Sequence, residues 1–174
     1  MSLPNAELAQ QSGLLVDNGI VVDEFLRSVD DPNVSAVGDC TRFVDPATGQ
    51  SVRLESVQNA VDQARSVAKR LTGHAVPYRA VPWFWTDQLG LKLQIAGLTA
   101  GHDHIRVIGD TATGSFSVFC FNGHRLLGIE SVNRPADHLA PRRLLAATSK
   151  LAELTPHQVD DPNFSLRTYL ARSS

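Results

Sequence analysis

"RLESVQNAVDQARSVAKRLTG", residues 53–73, decides how the rest of this 174-residue chain is read. Leu54, Val57, Val61, Ala64, Ala68 and Leu71 recur at spacings of 3, 4, 3, 4 and 3, the repeat of one helical face. Gly73 follows as the left-handed closing residue that helices favour. The spacing predicts an amphipathic helix over residues 54–72. Glu55, Ser56, Val57 and Gln58 make its first turn, where unpaired amides and a partial positive charge suit an anion or an electron-rich ring edge. Ser and Glu are also ordinary first-turn residues that need no ligand.

Upstream, "GLLVDNGIVVDEFLRSVDDPNVSAVGDC" (residues 13–40) alternates short apolar runs with turn residues. Asn18-Gly19 between Leu14–Val16 and Ile20–Val22 signals a hairpin. Asp31-Pro32-Asn33 turns the chain into an expected strand, Val34–Val37, that ends at Gly38-Asp39. A carboxylate at the end of a buried strand needs a partner. Asp39 either bonds the amides of its own turn or faces a ligand. "TRFVDPATGQSV" (residues 41–52) reads as a loop leading to the helix.

Downstream, Pro77 and Pro82 mark a linker over residues 74–82, which divides the chain into units 4–75 and 76–174. Both tryptophans lie in "VPWFWTDQLG" (residues 81–90). In a strand, Trp83 and Trp85 share one face and make a flat aromatic wall. That wall is either a core cluster between two units or a surface for a flat ring or a redox partner. "LKLQIAGL", "HIRVIGD", "GSFSVFCF" and "HRLLGIESV" then read as four strands in an antiparallel meander. Helices are expected at about residues 135–150, kinked at Pro141, and at 165–171. Thr155-Pro156 and Asp161-Pro162 each resemble an N-cap followed by proline. Strands followed by helices give an α+β class.

Composition excludes several functions. With 43% hydrophobic and 20% charged residues, the chain is an ordinary globular sequence. A net charge of −2 gives no pull toward nucleic acid or an anionic membrane. No run of about 18 apolar residues is present to span a bilayer. The start, Met1-Ser2-Leu3-Pro4-Asn5, lacks the pattern of a secretory signal; Met1-Ser2-Leu3 reads as an added leader. Cys40 and Cys120 form no CxxC pair and suit core positions in a reducing cytoplasm. His102 and His104 offer two metal ligands without a third nearby, or an exposed turn. Arg134, Arg142 and Arg143 offer a positive rim for an acidic partner, or a solvated helix face.

Five segments share one resemblance. "PNAELAQQSGLLVDNGIVVDEFLRS", "SAVGDC", the helix quoted above, "VPWFWTDQLGLKLQIAGL" and "ESVNRPADHLAPRRLL" resemble the C-terminal part of the NAD(P)H-dependent ferredoxin reductases. These are FAD flavoproteins that include putidaredoxin, rubredoxin and rhodocoxin reductases. The resemblance implies the tail of an FAD-binding Rossmann-like domain over residues 4–75. An antiparallel-sheet-plus-helices C-terminal reductase domain, dimerisation-like, would follow over 76–174. By the same resemblance, Gly38 and Asp39 meet the ribityl and pyrophosphate region of FAD. The amides of Val57 and Gln58, on the turn begun by Ser56, meet the flavin pyrimidine edge, and Glu55 lies near the nicotinamide. Trp83 and Trp85 stand beside the isoalloxazine, close to the docking ferredoxin. The flavin takes hydride from NAD(P)H and passes electrons to a ferredoxin-like iron–sulfur protein or a rubredoxin.

The chain departs from that family in one large respect. No G-x-G occurs anywhere, so neither dinucleotide cradle is present. The expectation is therefore a reductase fragment that binds FAD weakly or not at all and is inactive alone. Strand edges left uncovered in the first unit imply a homo-oligomer. The alternative reading is a non-enzymatic binding or dimerisation module that reuses the C-terminal domain.

Overall fold

Ser56 starts the longest helix of the chain. Its backbone is extended (φ −152°, ψ 144°) and its Oγ accepts the Asn59 amide at 3.1 Å, a cap worth about 1 kcal/mol. The helix runs Val57–Leu71 and closes through Thr72 and Gly73, whose φ is +89°. There the His74 amide reaches the Lys69 carbonyl and the Gly73 amide the Arg70 carbonyl, the paired closure that needs a left-handed residue. The structure, a computed structural model, describes residues 2–134, 145 and 154–172. By its internal contacts the chain forms two units, Met1–Ala80 and Val81–Ser174.

The first unit contains, in chain order, α1 (Glu7–Gln11), β1 (Ile20–Val21), β2 (Thr41–Val44), β3 (Ser51–Arg53) and α2 (Val57–Leu71). The strands form one sheet in the order β1-β2-β3, with β1 parallel and β3 antiparallel to β2. Asn18 (φ +49°) and Gly19 (φ +136°) turn the chain so that Val16 bridges Ile20, as the Asn-Gly signal implied. A Cβ at Gly19 would meet the Cys40 carbonyl at 3.0 Å, so the close approach of β2 also requires glycine. Val22, Leu26, Ala36, Phe43 and Tyr78 form the core of this unit.

Three expectations fail here. Val34–Val37 is not a strand; within it only Ser35 bridges, to Arg27, while Val34 and Val37 are exposed. The strand lies beyond the Gly-Asp turn, at Thr41–Val44, where Thr41 and Phe43 are buried on one face. Residues 41–52 are accordingly not a loop but most of a hairpin of β2 and β3. Its turn is fixed by the Asp45 carboxylate, which accepts from the Thr48 amide and hydroxyl at 2.9 and 2.7 Å. The third failure is the facing of α2. Its buried residues are Asn59 and Gln63, whereas Val57, Val61, Ala64, Ala68 and Leu71 are exposed. The apolar stripe that identified the helix is not the side it turns to the core of its own unit.

The second unit contains β4 (Trp83–Gln88), β5 (Leu91–Gly97), β6 (His104–Asp110), β7 (Ser115–Asn122) and β8 (Arg125–Val132). Two short helices follow, α3 (Pro156–Val159) and α4 (Leu166–Arg172). The sheet is wholly antiparallel in the order β4-β5-β8-β7-β6. Only β6, β7 and β8 form a meander; β8 returns to lie beside β5, so β5 and β6 are not neighbours. The register shift at Cys120/Phe121 lets both residues be buried. Phe119, Phe121, Leu126 and Ile129 pack with Leu154, Val159 and Leu166 into one core.

Thr155-Pro156 opens α3 with a full capping box: Thr155 Oγ1 accepts the Gln158 amide and Gln158 Oε1 accepts the Thr155 amide. Asp161-Pro162 does not open a helix. Asp161 Oδ1 instead accepts the Asn163 amide in a turn, and Ser165 precedes α4. The helix expected at about 135–150, with its kink at Pro141, lies outside the described residues apart from Leu145.

Candidate functional site

The Gly38-Asp39 turn packs on the first turns of α2. Gly38 takes φ +82° and is buried; a Cβ placed on it would touch Ala60 at 3.4 Å. Its amide donates to Gln63 Oε1 at 2.7 Å, and the Thr41 amide closes the turn on the Gly38 carbonyl at 3.0 Å. Arg53, at the end of β3, donates from Nη1 to the Asp39 carbonyl at 3.0 Å. The backbone around Asp39 is thus held by side chains of α2 and β3.

The Asp39 carboxylate is exposed and has no partner among the described residues. Its neighbours in kind behave otherwise. Asp23, Asp31, Asp45, Asp110 and Asp161 each accept an amide from their own turn. Asp17, Asp30, Asp62, Asp87, Asp103 and Asp160 are hydrogen-bonded or ion-paired. Of the two readings left open by the sequence, the turn cap is therefore not the one this side chain adopts.

The start of α2 has the same character. Ser56 caps the Asn59 amide, and Ala60 begins the helical ladder on the Ser56 carbonyl. Among the described residues the Val57 and Gln58 amides have no acceptor, and the Val57 side chain is 70% exposed. The Gln58 side chain turns along the helix and donates to Asp62 at 2.8 Å. Glu55 is occupied. It pairs with Arg53 Nη2 at 2.7 Å and accepts from the Ser2 amide and hydroxyl at 3.3 and 3.1 Å. Those Ser2 hydrogen bonds, with Arg53 beside them, hold its carboxyl below the usual range, so it stays ionised near neutrality.

The indoles lie in the second unit, on edge strand β4. Trp83 and Trp85 project to one face, as alternation requires, but their rings stack on each other at 4.7 Å and 24°. They form a stacked pair rather than side-by-side halves of one flat wall. Trp85 is 42% exposed and Phe84 projects to the opposite face.

The other candidates are engaged elsewhere or lie outside the described residues. His102 Nδ1 contacts the Thr99 carbonyl, and His104 is engaged by Asp103 and stacked on Phe121. No metal-holding cluster of His, Cys, Asp or Glu occurs among the described residues. Burial, with the Glu130 carboxylate nearby, pushes the Cys120 thiol up to about 11, the opposite of an activated nucleophile. Arg142 and Arg143 lie outside the described residues. No helix among the described residues is long and apolar enough to cross a membrane.

Two residues of the site escaped the sequence reading. Gln63 and Arg53 touch the turn from elements read respectively as an apolar-faced helix and the approach to it. A fully buried glutamine opposite an apolar stripe was the available sign, but it carries meaning only once the helix's facing is known.

A free carboxylate on a turn packed against a helix whose first amides are free offers an acceptor for polyol hydroxyls and donors for the pyrimidine edge of a flavin nucleotide. It does not supply a pyrophosphate cradle. The comparisons point the same way. The family described as "Pyridine nucleotide-disulphide oxidoreductase" matches residues 2–64, and the family described as "Reductase C-terminal" matches residues 83–170. Rhodocoxin reductase of Rhodococcus erythropolis is 56% identical over 98% of this chain, and putidaredoxin reductase of Pseudomonas putida 41% identical over 97%. The chain spans 39% of the length of each. The reductase in the covalent putidaredoxin reductase–putidaredoxin complex superposes with a TM-score of 0.90 at 39% identity, over 98% of this chain and 40% of that one. The family is one of FAD flavoproteins that use NAD(P)H. This chain belongs to it: it is a member of the ferredoxin reductases, and residues 83–170 are their C-terminal reductase domain.

Proposed function

We propose that this chain forms part of a flavin site in a reductase that moves electrons from NAD(P)H through FAD to a ferredoxin or rubredoxin. The observation that carries the reading is Asp39. Its carboxylate stands in solvent on a turn that Gln63 and Arg53 fix, and that turn packs on the helix which the free amides of Val57 and Gln58 begin. A polyol hydroxyl donates to such a carboxylate, and the two amides donate to a ring edge that gains negative charge on reduction. FAD would supply hydride acceptance and one-electron release; the residues here orient it and stabilise charge. Glu55 and Ser56 frame the same turn, with Glu55 the residue proposed nearest the nicotinamide. On the family resemblance, Trp83 and Trp85 are proposed to serve the flavin and the docking of the iron–sulfur partner. Electron transfer to a redox partner is supported by the names of the relatives, among them rubredoxin reductase of Pseudomonas putida.

Alone, the chain binds FAD weakly and does not turn over, because it has no phosphate cradle. Absorbance of the purified protein in the flavin bands tests this: a faint, substoichiometric signal is expected, and a stoichiometric yellow preparation contradicts it. The chain also self-associates. The exposed stripe of α2 is a surface that folding has not covered, and β3 lies at the edge of its sheet. Light scattering at rising concentration should show a growing mass, and a constant monomer mass would refute the association.

A further inference from the structure

We propose that Gln63 is a positioning residue that sets the Gly38-Asp39 turn for its ligand, a role that rests on the flavin reading above. Gln63 is fully buried in the second turn of α2, and its Oε1 accepts the Gly38 amide at 2.7 Å. Gly38 sits at φ +82° outside any strand, so its buried N–H needs an acceptor from elsewhere. Arg53 fixes the carbonyl of the following residue, Asp39. Together the two side chains set the direction of the Asp39 Cα–Cβ bond while leaving its carboxylate unengaged.

The other end of Gln63 shows why stability alone does not account for it. Nε2 is buried with no hydrogen-bond partner, and rotating the amide to satisfy it would set a donor against the Gly38 N–H. A methionine fills a similar volume with no polar group to strand. What glutamine adds in return is the acceptor at Gly38, and hence the geometry of the turn.

Isotope-labelled chain serves for the test, comparing wild type with Gln63→Met and Gln63→Glu, the second of which keeps an oxygen at the Gly38 amide. Two readouts are followed by amide NMR: hydrogen exchange at Gly38, and the shifts of Asp39, Val57 and Gln58 on titration with FAD. Gln63→Met should speed Gly38 exchange about tenfold and weaken the FAD response by about the same factor, the scale of one hydrogen bond. Exchange in the middle of α2 should stay as in wild type, and Gln63→Glu should recover most of both losses. If Gln63→Met does not fold, Gln63→Asn withdraws the oxygen by one methylene and should show the same two losses in milder form. A wild-type FAD response that survives Gln63→Met unchanged overturns the positioning role alone. No FAD response in wild type overturns the flavin reading and this role with it.

Discussion

The two units build cores of different size. The second builds a five-stranded antiparallel sheet and packs it with Leu154, Val159 and Leu166 around Phe119, Phe121 and Ile129. The first has a three-stranded sheet and a small core, and leaves the Val57–Leu71 stripe of its longest helix in solvent, with Leu71 74% exposed. A stripe at helical spacing shows which side of a helix seeks cover. It does not show that the same chain provides the cover. The second unit has the larger buried core, and the first holds the turn proposed to face the nucleotide beside a smaller one.

The contrast can be broken most forcefully in the cores. Phe121→Ala, at a fully buried position, should cost about 3–5 kcal/mol in urea unfolding of the second unit. Phe43→Ala has fewer neighbours to abandon and should cost nearer the lower bound, about 3 kcal/mol. Equal losses would mean that the two cores are equally complete.

Glycines sharpen the comparison with smaller effects. A Cβ at Gly128 would stand 2.6 Å from the Ala96 carbonyl across the sheet, so Gly128→Ala must push strands apart at about 1–3 kcal/mol. At Gly38 the added methyl meets only Ala60 at an ordinary 3.4 Å, and the cost is backbone strain of about 1 kcal/mol. Melting temperatures of the two variants should rank in that order.

The thiols give the smallest and gentlest contrast. Cys40 is half-buried in the first unit and Cys120 is buried in the second. Alkylation near neutral pH should modify Cys40 in the native protein and reach Cys120 only through unfolding. The pH dependence has a definite sign. The folded Cys120 thiol ionises at about 11, above its ordinary 9.0, so the folded state resists losing that proton. Its contribution to stability is complete below the unfolded value and fades as pH climbs from there toward the folded one. A Cys120→Ala variant should lose that part of the alkaline decline; an unchanged decline would show that the thiol plays no part in it.

How much of this was legible in the sequence follows from how local each feature is. The end of α2 was readable because Gly73 acts within one turn of the helix, and the Thr155-Pro156 cap for the same reason; the start was read three residues early, because Ser56 caps the helix from outside its first turn. The order of β5 and β8 was not, because their pairing joins residues far apart in sequence. β2 was read as loop because its alternation is short and runs straight into the turn residues Asp45, Pro46, Thr48 and Gly49. Within the site, Asp39 could be picked out as a carboxylate needing a partner, yet its lack of one is a property of packing. Gln63 was hidden because its burial runs against the periodicity that defines its helix.

Replacing Asp39 by alanine tests the central claim most directly, with FAD affinity and melting temperature measured on the same samples. A carboxylate with no hydrogen bond or ion pair among the described residues can be removed without loss of stability, while FAD binding should weaken about tenfold, the value of one charge-assisted hydrogen bond. Unchanged FAD affinity together with a lower melting temperature would show that Asp39 holds its turn together and faces no ligand.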